Sequence, residues 1–132
     1  MGVIHIKRQI LVVNEDLAVG RTICDSMEDE VTTVCYMTSA MEALADYIKN
    51  EYCLVILDVQ ITDTNSVELL RIIRNTKHTP ILVLTDPLTS GDIVTLFHTG
   101  ADACLEKPLN IEVCAAQANA MIKLYIESDI NH

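Results

Sequence analysis

The sequence predicts a single α/β domain in which a doubly wound, five-stranded parallel sheet is covered on both faces by five helices. Short apolar runs that end in turn residues, typical of buried parallel strands, alternate along the chain with segments of helical periodicity. Half of the 132 residues are hydrophobic, which suffices for one buried core and excludes intrinsic disorder. Such alternation favours right-handed crossovers, and therefore a parallel sheet.

The first strand is predicted at residues 10–13, and the polar residues Asn14, Glu15 and Asp16 follow it directly. The periodicity of residues 17–28 predicts the first helix. Its apolar stripe consists of Ile23, Cys24 and Met27.

The second strand is predicted at residues 31–36, which are rich in β-branched side chains. Ser39 and Glu42 stand at capping-box spacing and predict the start of the second helix. The apolar residues of that helix are Ala43, Leu44, Tyr47 and Ile48. The third strand lies within residues 53–59, an apolar run that carries the single carboxylate of Asp58. A polar loop follows it, and residues 65–68 are a further helix-start signature.

The third helix is expected to bury its leucine and isoleucine side chains and to expose its arginines. The inward residues are Leu69, Leu70 and Ile73, and the outward ones are Arg71 and Arg74. Residues 80–85 are a fourth buried strand, and Thr89 caps a fourth helix that ends at Gly100. The apolar residues of this helix are Ile93, Val94 and Phe97.

The fifth strand is predicted at residues 103–105, and Asn110 caps the fifth helix. The apolar stripe of this helix consists of Ile111, Cys114, Ala115, Ala118, Met121, Ile122 and Tyr125. The domain is expected to span residues 1–126, with residues 127–132 as a frayed tail or the start of a linker.

Charge and cysteine content restrict the function classes. A net charge of −10 and a pI near 4.6 argue against nucleic-acid binding by this segment, since phosphate contacts need a basic face. The five cysteines form no metal-finger spacing, and their odd number fits a reducing, cytoplasmic compartment. No signal peptide or membrane span is expected.

Polar residues at the strand ends predict a phosphoryl site. Glu15, Asp16, Asp58, Thr85 and Lys107 all follow or end predicted strands, and parallel strands bring such ends to one edge. Carboxylates without nearby His or Cys suit Mg²⁺. A hydroxyl and an ammonium beside a metal and a carboxylate suit a phosphoryl group, with Asp58 as nucleophile.

From about residue 9 to residue 125 the chain resembles the receiver domain of two-component response regulators. The matching motifs are residues 10–13 before acidic residues, Val55-Ile56-Leu57-Asp58, residues 80–85, and Gly100-Ala101-Asp102 followed by Lys107-Pro108. The resemblance implies a flavodoxin-like strand order 2-1-3-4-5 and a cis Lys107–Pro108 peptide. It also implies that Asp58 accepts a phosphoryl group from a histidine kinase. Mg²⁺ is then held by Glu15, Asp58 and the Gln60 carbonyl, while Thr85 and Lys107 contact the phosphate.

Several positions depart from the family pattern. Asn14 replaces one of two common acidic residues, so Asp16 is kept as a secondary metal ligand. Thr62 and Ser66 stand where Pro and Gly are usual, and Cys104 stands where an aromatic residue usually couples to the strand-four hydroxyl.

The leading functional prediction is a phosphorylation-controlled switch, not an enzyme beyond its own phosphorylation and dephosphorylation. The resemblance implies a histidine kinase as partner, an output domain of the winged-helix DNA-binding type, and a homodimer through the fourth and fifth helices. The alternative is a degenerate receiver that acts as an interaction module. A phosphohydrolase is disfavoured because Gln60 is not ionisable. A flavin protein is disfavoured because the segment Asn14-Glu15-Asp16 carries two carboxylates where a phosphate-binding loop would be needed.

Overall fold

The computed structural model describes residues 8–60 and 64–130 of the chain. The strands are β1 (Arg8–Val13), β2 (Thr32–Met37), β3 (Leu54–Asp58), β4 (Ile81–Thr85) and β5 (Ala103–Glu106). The helices are α1 (Leu17–Met27), α2 (Ala40–Lys49), α3 (Thr64–Thr76), α4 (Ser90–Thr99) and α5 (Ile111–Ile130).

The five strands are parallel and lie in the order β2-β1-β3-β4-β5, which confirms the predicted fold class and strand order. The chain therefore reverses its direction of winding between β1 and β3, and Asp58 ends β3 at this point. The registers pair Asp58 with Leu84 of β4, and Thr85 with Glu106 of β5. A crevice at such a reversal, beyond the carboxyl ends of the strands, is where open α/β sheets bind ligands.

Each face of the sheet is covered by its own hydrophobic cluster. Alternate residues of the central strands, such as Leu11 and Leu57, face α2, α3 and α4, while Ile10 and Ile56 face α1 and α5. Because both faces of β1, β3 and β4 are buried, these strands appear in the sequence as continuous apolar runs rather than alternating ones. Full burial of one such aliphatic side chain contributes about 1.5–3 kcal/mol.

Side-chain caps begin the helices at the predicted residues. The Ser39 hydroxyl accepts a hydrogen bond from the Glu42 amide, at 3.3 Å. Thr89 and Asp92 form both hydrogen bonds of a capping box at the start of α4. The Asn110 carbonyl oxygen accepts from two amides in the first turn of α5. Each cap stabilises its helix by about 1 kcal/mol.

The inward face of two helices differs from the prediction. In α4 the buried side chain is Leu96, whereas Val94 and Phe97 are 52% and 43% exposed. In α2 the predicted core residue Ile48 is exposed. Hydrophobic residues at the border of an amphipathic stripe can fall on either side of the contact, because a folded surface contains many apolar atoms.

Helix ends also depart from the prediction. α3 begins at Thr64, so Asn65 lies in its first turn. The expected frayed end after residue 126 is wrong in part, because α5 continues to Ile130, and residues 131–132 lie outside the described part. Across residues 8–60 and 64–130 no helix, including the 20-residue α5, is long and apolar enough to cross a bilayer.

Candidate functional site

A cavity of about 570 Å³ opens at the carboxyl ends of β1 and β3. Predicted site residues from both strands and from the segment after β5 line it together: Glu15, Asp16, Asp58, Gln60 and Lys107. Further lining residues come from β1, β3, α2, α3 and the turns that follow β1 and β2: Val13, Asn14, Thr38, Ala40, Leu57, Asn65, Ser66 and Leu69. The predicted loop residue Thr62 lies outside the described residues.

Asp58 and Lys107 form an ion pair, with Lys107 Nζ 2.5 Å from Asp58 Oδ2. The side chains are 12% and 28% exposed, so the pair is partly shielded from water and its attraction exceeds that of a surface pair. The Lys107 amide also donates a 2.8 Å hydrogen bond to the Thr85 carbonyl, which ties the segment after β5 to the end of β4. The Lys107–Pro108 peptide is cis, as expected.

Thr85 occupies the predicted strand end but does not belong to the cavity lining that the described residues form. Its side chain is buried, and its hydroxyl donates a 3.1 Å hydrogen bond to the Asp86 carbonyl. The hydroxyl is therefore engaged by the β4–α4 loop, next to the cavity.

The acidic segment after β1 is a helix-capping turn. Asp16 is the N-cap of α1, and its Oδ1 accepts hydrogen bonds from the amides of Ala18 and Val19. One carboxylate oxygen of Asp16 is thus committed to the helix, while Glu15 is exposed and lines the cavity. Of the two candidate acidic ligands of this segment, Glu15 has no capping role.

Tyr36 supports this turn and was missed by sequence reasoning. Its hydroxyl donates a 2.9 Å hydrogen bond to the Asn14 carbonyl, and the Asp16 carbonyl lies 3.4 Å away. The ring lies over Gly20 of α1, where a Cβ would come within 2.3–2.6 Å of it. A glycine inside a helical pattern signals such a close approach, so Gly20 was the available clue.

Burial is the main cause that raises the pKa of Tyr36 above its usual value, and Cys24 and Asp16 nearby add to the shift. The hydroxyl therefore stays protonated and able to donate at neutral pH. Burial likewise raises the pKa of Cys104, which keeps this thiol neutral. Cys104 packs against the hydrophobic cluster under α2, α3 and α4.

The donor set of the cavity fits a hard cation. Its charged oxygen donors are the carboxylates of Glu15, Asp16 and Asp58, and neither His nor Cys is among the described lining residues. Within the described ranges, no three His, Cys, Asp or Glu side chains converge into a complete metal cluster. Mg²⁺ needs only one or two carboxylates and keeps several waters, so these residues fit Mg²⁺ better than Zn²⁺.

The profile of the response regulator receiver domain family matches residues 10–119. The response regulator ArlR of Staphylococcus saprophyticus is 30% identical over 115 residues, which are 87% of this chain and 52% of that protein. ArlR of Staphylococcus aureus strain MW2 is 29% identical over 122 residues, covering 92% of this chain and 56% of that protein. The chain thus spans about half the length of the curated relatives it matches.

Solved structures share the fold. A CheY-like receiver domain protein from Methanospirillum hungatei JF-1 superposes with a TM-score of 0.82 at 22% identity, covering 92% of this chain and 98% of that one. A response regulator from Thermotoga maritima gives a TM-score of 0.79 at 21% identity, covering 89% and 98%.

Proposed function

The chain belongs to the response regulator receiver family, and from this premise we propose that it is a phosphorylation-dependent switch whose phosphoacceptor is Asp58. The observation that carries the proposal is the Asp58–Lys107 ion pair inside a cavity that the carboxylates of Glu15 and Asp16 also line. A strand-end carboxylate held beside an ammonium is a nucleophile placed next to the group that binds the incoming phosphoryl oxygens.

In the transfer, an oxygen of Asp58 attacks phosphorus as the N–P bond of the kinase phosphohistidine breaks. The histidine nitrogen leaves with the electron pair of that bond and regains a proton from solvent. Lys107 then moves its ammonium from the Asp58 carboxylate to a phosphoryl oxygen, which balances the charge that the phosphoryl group brings. This chemistry is a self-modification, so the domain is a signalling protein and not an enzyme acting on a separate pool of substrates.

Mg²⁺ is the cofactor of the proposed site. Glu15, Asp58 and the main-chain carbonyl of Gln60 would hold it, with Asp16 as a secondary ligand through the oxygen not used in capping. When bound, the ion neutralises charge on the phosphoryl oxygens. Its affinity should fall as pH drops, because the carboxylates must be ionised to bind it.

The switch itself is proposed to run from Thr85 into the β4–α4 loop. The Thr85 hydroxyl leaves the Asp86 carbonyl and turns to the phosphoryl group, which frees the loop backbone. Cys104 has less apolar area to bury than an aromatic ring would have. Burial of this side chain therefore does not drive a large movement at residue 104. Output then depends on how Leu96 and Leu88 pack under α4, since these side chains join it to the core.

A sensor histidine kinase is the proposed partner, and the five free cysteines support the proposal that both work in the reducing cytoplasm. The relatives are longer than this chain, which leaves room for an output domain, for which we propose a winged-helix DNA-binding domain. Apolar side chains exposed on two helices support a homodimer through α4 and α5: Val94, Phe97, Val113 and Leu124.

A degenerate receiver that only binds partners is the second candidate. The neutral Asn14 in the acidic segment and the engaged Thr85 hydroxyl favour it, because both reduce the groups ready for a metal or a phosphoryl group.

The two candidates are separated by incubating the protein with acetyl phosphate and Mg²⁺ and recording intact mass. The wild type should gain one phosphoryl group and Asp58→Asn none. Asp25→Asn removes an exposed carboxylate of α1 and should behave as the wild type. An unmodified wild type would favour the degenerate receiver, and an adduct on Asp58→Asn would place the acceptor elsewhere.

A further inference from the structure

Asn14 is a buried polar residue at the wall of the cavity. It follows β1 directly, is 3% exposed and belongs to the cavity lining together with Glu15 and Asp58. Where the family resemblance leads one to expect an acidic residue, this chain therefore carries an amide, which has both an acceptor and a donor.

Three hydrogen bonds hold Asn14 in place. Its main-chain amide donates to the Met37 carbonyl at 3.1 Å, and its own carbonyl accepts from Tyr36 Oη at 2.9 Å. Its side-chain Oδ1 accepts from the Asp16 amide at 2.8 Å. Since only the oxygen can accept from that amide, the side-chain orientation is assigned by this contact.

The remaining group of Asn14, the Nδ2 amide, is buried and has no hydrogen-bond partner within residues 8–60 and 64–130. A buried donor is costly to leave unpaired, and such groups are retained where a ligand supplies the acceptor. The cavity that this residue lines is otherwise rich in carboxylates, which attract cations and repel an oxyanion.

We propose that Asn14 Nδ2 donates a hydrogen bond to an oxygen of the phosphoryl group carried by Asp58, which makes Asn14 a residue that contacts the transferred group. The inference rests on the proposed function and adds to it a second donor besides Lys107. An aspartate at this position would bring a further negative charge and no donor. Compared with it, Asn14 should lower the affinity of the site for Mg²⁺ and supply a hydrogen bond to the phosphoryl group.

The test follows the side-chain amide resonances of the uniformly ¹⁵N-labelled protein by NMR, with Asn14 assigned from their loss in Asn14→Asp. Saturating Mg²⁺ alone should leave the Asn14 resonances nearly unmoved, and adding beryllofluoride as the phosphoryl mimic should shift them. Asn50, whose Nδ2 already donates to the Asp46 carbonyl at the end of α2, is the internal control and should not move.

Each outcome decides the inference. If the backbone amides of Asp58 and Val59 respond to beryllofluoride and Asn14 Nδ2 does not, the Asn14 contact is wrong and the proposed function stands. If Mg²⁺ alone shifts Asn14 fully, its oxygen has turned to the metal, which also overturns the contact. If nothing responds, the proposed function fails and the contact with it.

Asn14→Asp gives a second measurement, because it keeps an Oδ1 acceptor for the Asp16 amide and removes the donor. The concentration of Mg²⁺ at half saturation should fall several-fold in this variant. At saturating Mg²⁺, beryllofluoride should bind roughly tenfold more weakly than to the wild type, the loss of one hydrogen bond to a charged group. Equal or tighter beryllofluoride binding would overturn the donor role.

Discussion

At the scale of single residues, the ion pair between Asp58 and Lys107 offsets part of the negative charge in the cavity. Lys107 lies far along the chain from Asp58, and their ion pair offsets the repulsion that Glu15 and Asp16 exert on the Asp58 carboxylate. Neutralising Asp58 alone therefore removes an attraction as well as a repulsion. If the carboxylates are considered without Lys107, only relief of repulsion is expected.

We expect a double-mutant cycle of Asp58→Asn and Lys107→Met to give a coupling free energy of about 1 kcal/mol in urea unfolding, a value kept small by the partial exposure of Lys107. Asp58→Asn combined with Lys123→Met, which removes an exposed cation of α5, should be additive. If the coupling free energy between Asp58→Asn and Lys107→Met is also zero, the ion pair does not form in solution.

At the scale of elements, two helical glycines have opposite surroundings. Gly20 of α1 faces the Tyr36 ring, whereas a Cβ on Gly91 of α4 would meet nothing closer than Thr89 Oγ1 at 3.9 Å. Elsewhere in a helix, alanine is favoured over glycine by about 1 kcal/mol. Replacing glycine by alanine should therefore stabilise the domain at Gly91 and destabilise it at Gly20.

Gly91→Ala should stabilise the domain by about 0.5–1 kcal/mol, and Gly20→Ala should destabilise it by about 1–3 kcal/mol through overpacking. Thermal and urea unfolding measure both. Tyr36→Ala removes the ring that a side chain at residue 20 would meet. In that background, Gly20→Ala should leave the stability of the domain nearly unchanged or increase it. If Gly20→Ala is as destabilising in that background, the ring is not what excludes a side chain there.

Arg74 joins α3 to the turn between α4 and β5. Its guanidinium donates to the Gly100 carbonyl at 2.9 and 3.0 Å and also contacts Asp102. The glycine has φ 147°, so this turn needs a residue without a Cβ, and the Arg74 stem occupies the space beside it.

Arg74→Met should cost about 1–3 kcal/mol, because the Gly100 carbonyl and the Asp102 carboxylate both lose a charged donor. Arg71→Met is the matched control on the same helix, because among the described residues Arg71 forms only an exposed ion pair with Glu68. This variant should change the free energy of unfolding by no more than about 0.5 kcal/mol. Equal effects in the two variants would show that the contact with Gly100 carries no stability.

At the scale of the whole molecule, the core contains groups that resist ionisation. Burial raises the pKa of Tyr36, Tyr47 and Tyr52, and also that of the thiols of Cys53 and Cys114. The folded state therefore holds protons on these groups that the unfolded chain would release at lower pH. Their contribution to stability is complete below their unfolded pKa values and is lost as pH rises towards the folded ones.

Stability should accordingly be flat near neutral pH and decrease above about pH 9, where unfolded thiols and then tyrosines ionise. Urea unfolding between pH 7 and pH 11 measures this, and Tyr52→Phe should flatten the decrease. Tyr52 is the informative site because burial and the adjacent Asp46 carboxylate both raise its pKa. Stability that rises through this range would contradict the direction of the shifts.

The sequence by itself determined the fold class, and it predicted that Glu15, Asp16, Asp58 and Lys107 share the edge of the sheet where they line one cavity. Central strands buried on both faces must be continuous apolar runs, and capping residues such as Ser39 and Asn110 act within one helical turn, so these signals are local. Asp58 and Lys107 could likewise be assigned to one edge, because parallel strands place their carboxyl ends together.

Only the tertiary structure decided how these groups meet. The choice of Leu96 over Phe97 as the buried residue of α4, the engagement of Thr85 by Asp86, and the hydroxyl of Tyr36 on the Asn14 carbonyl depend on contacts between segments distant in the chain. Periodicity fixes which residues share a helix face but not which of them reaches the core, and a hydroxyl has several acceptors within reach. Packing between distant segments decides which of these contacts form. It also buries Asn14 at the cavity wall with its Nδ2 amide unpaired among the described residues.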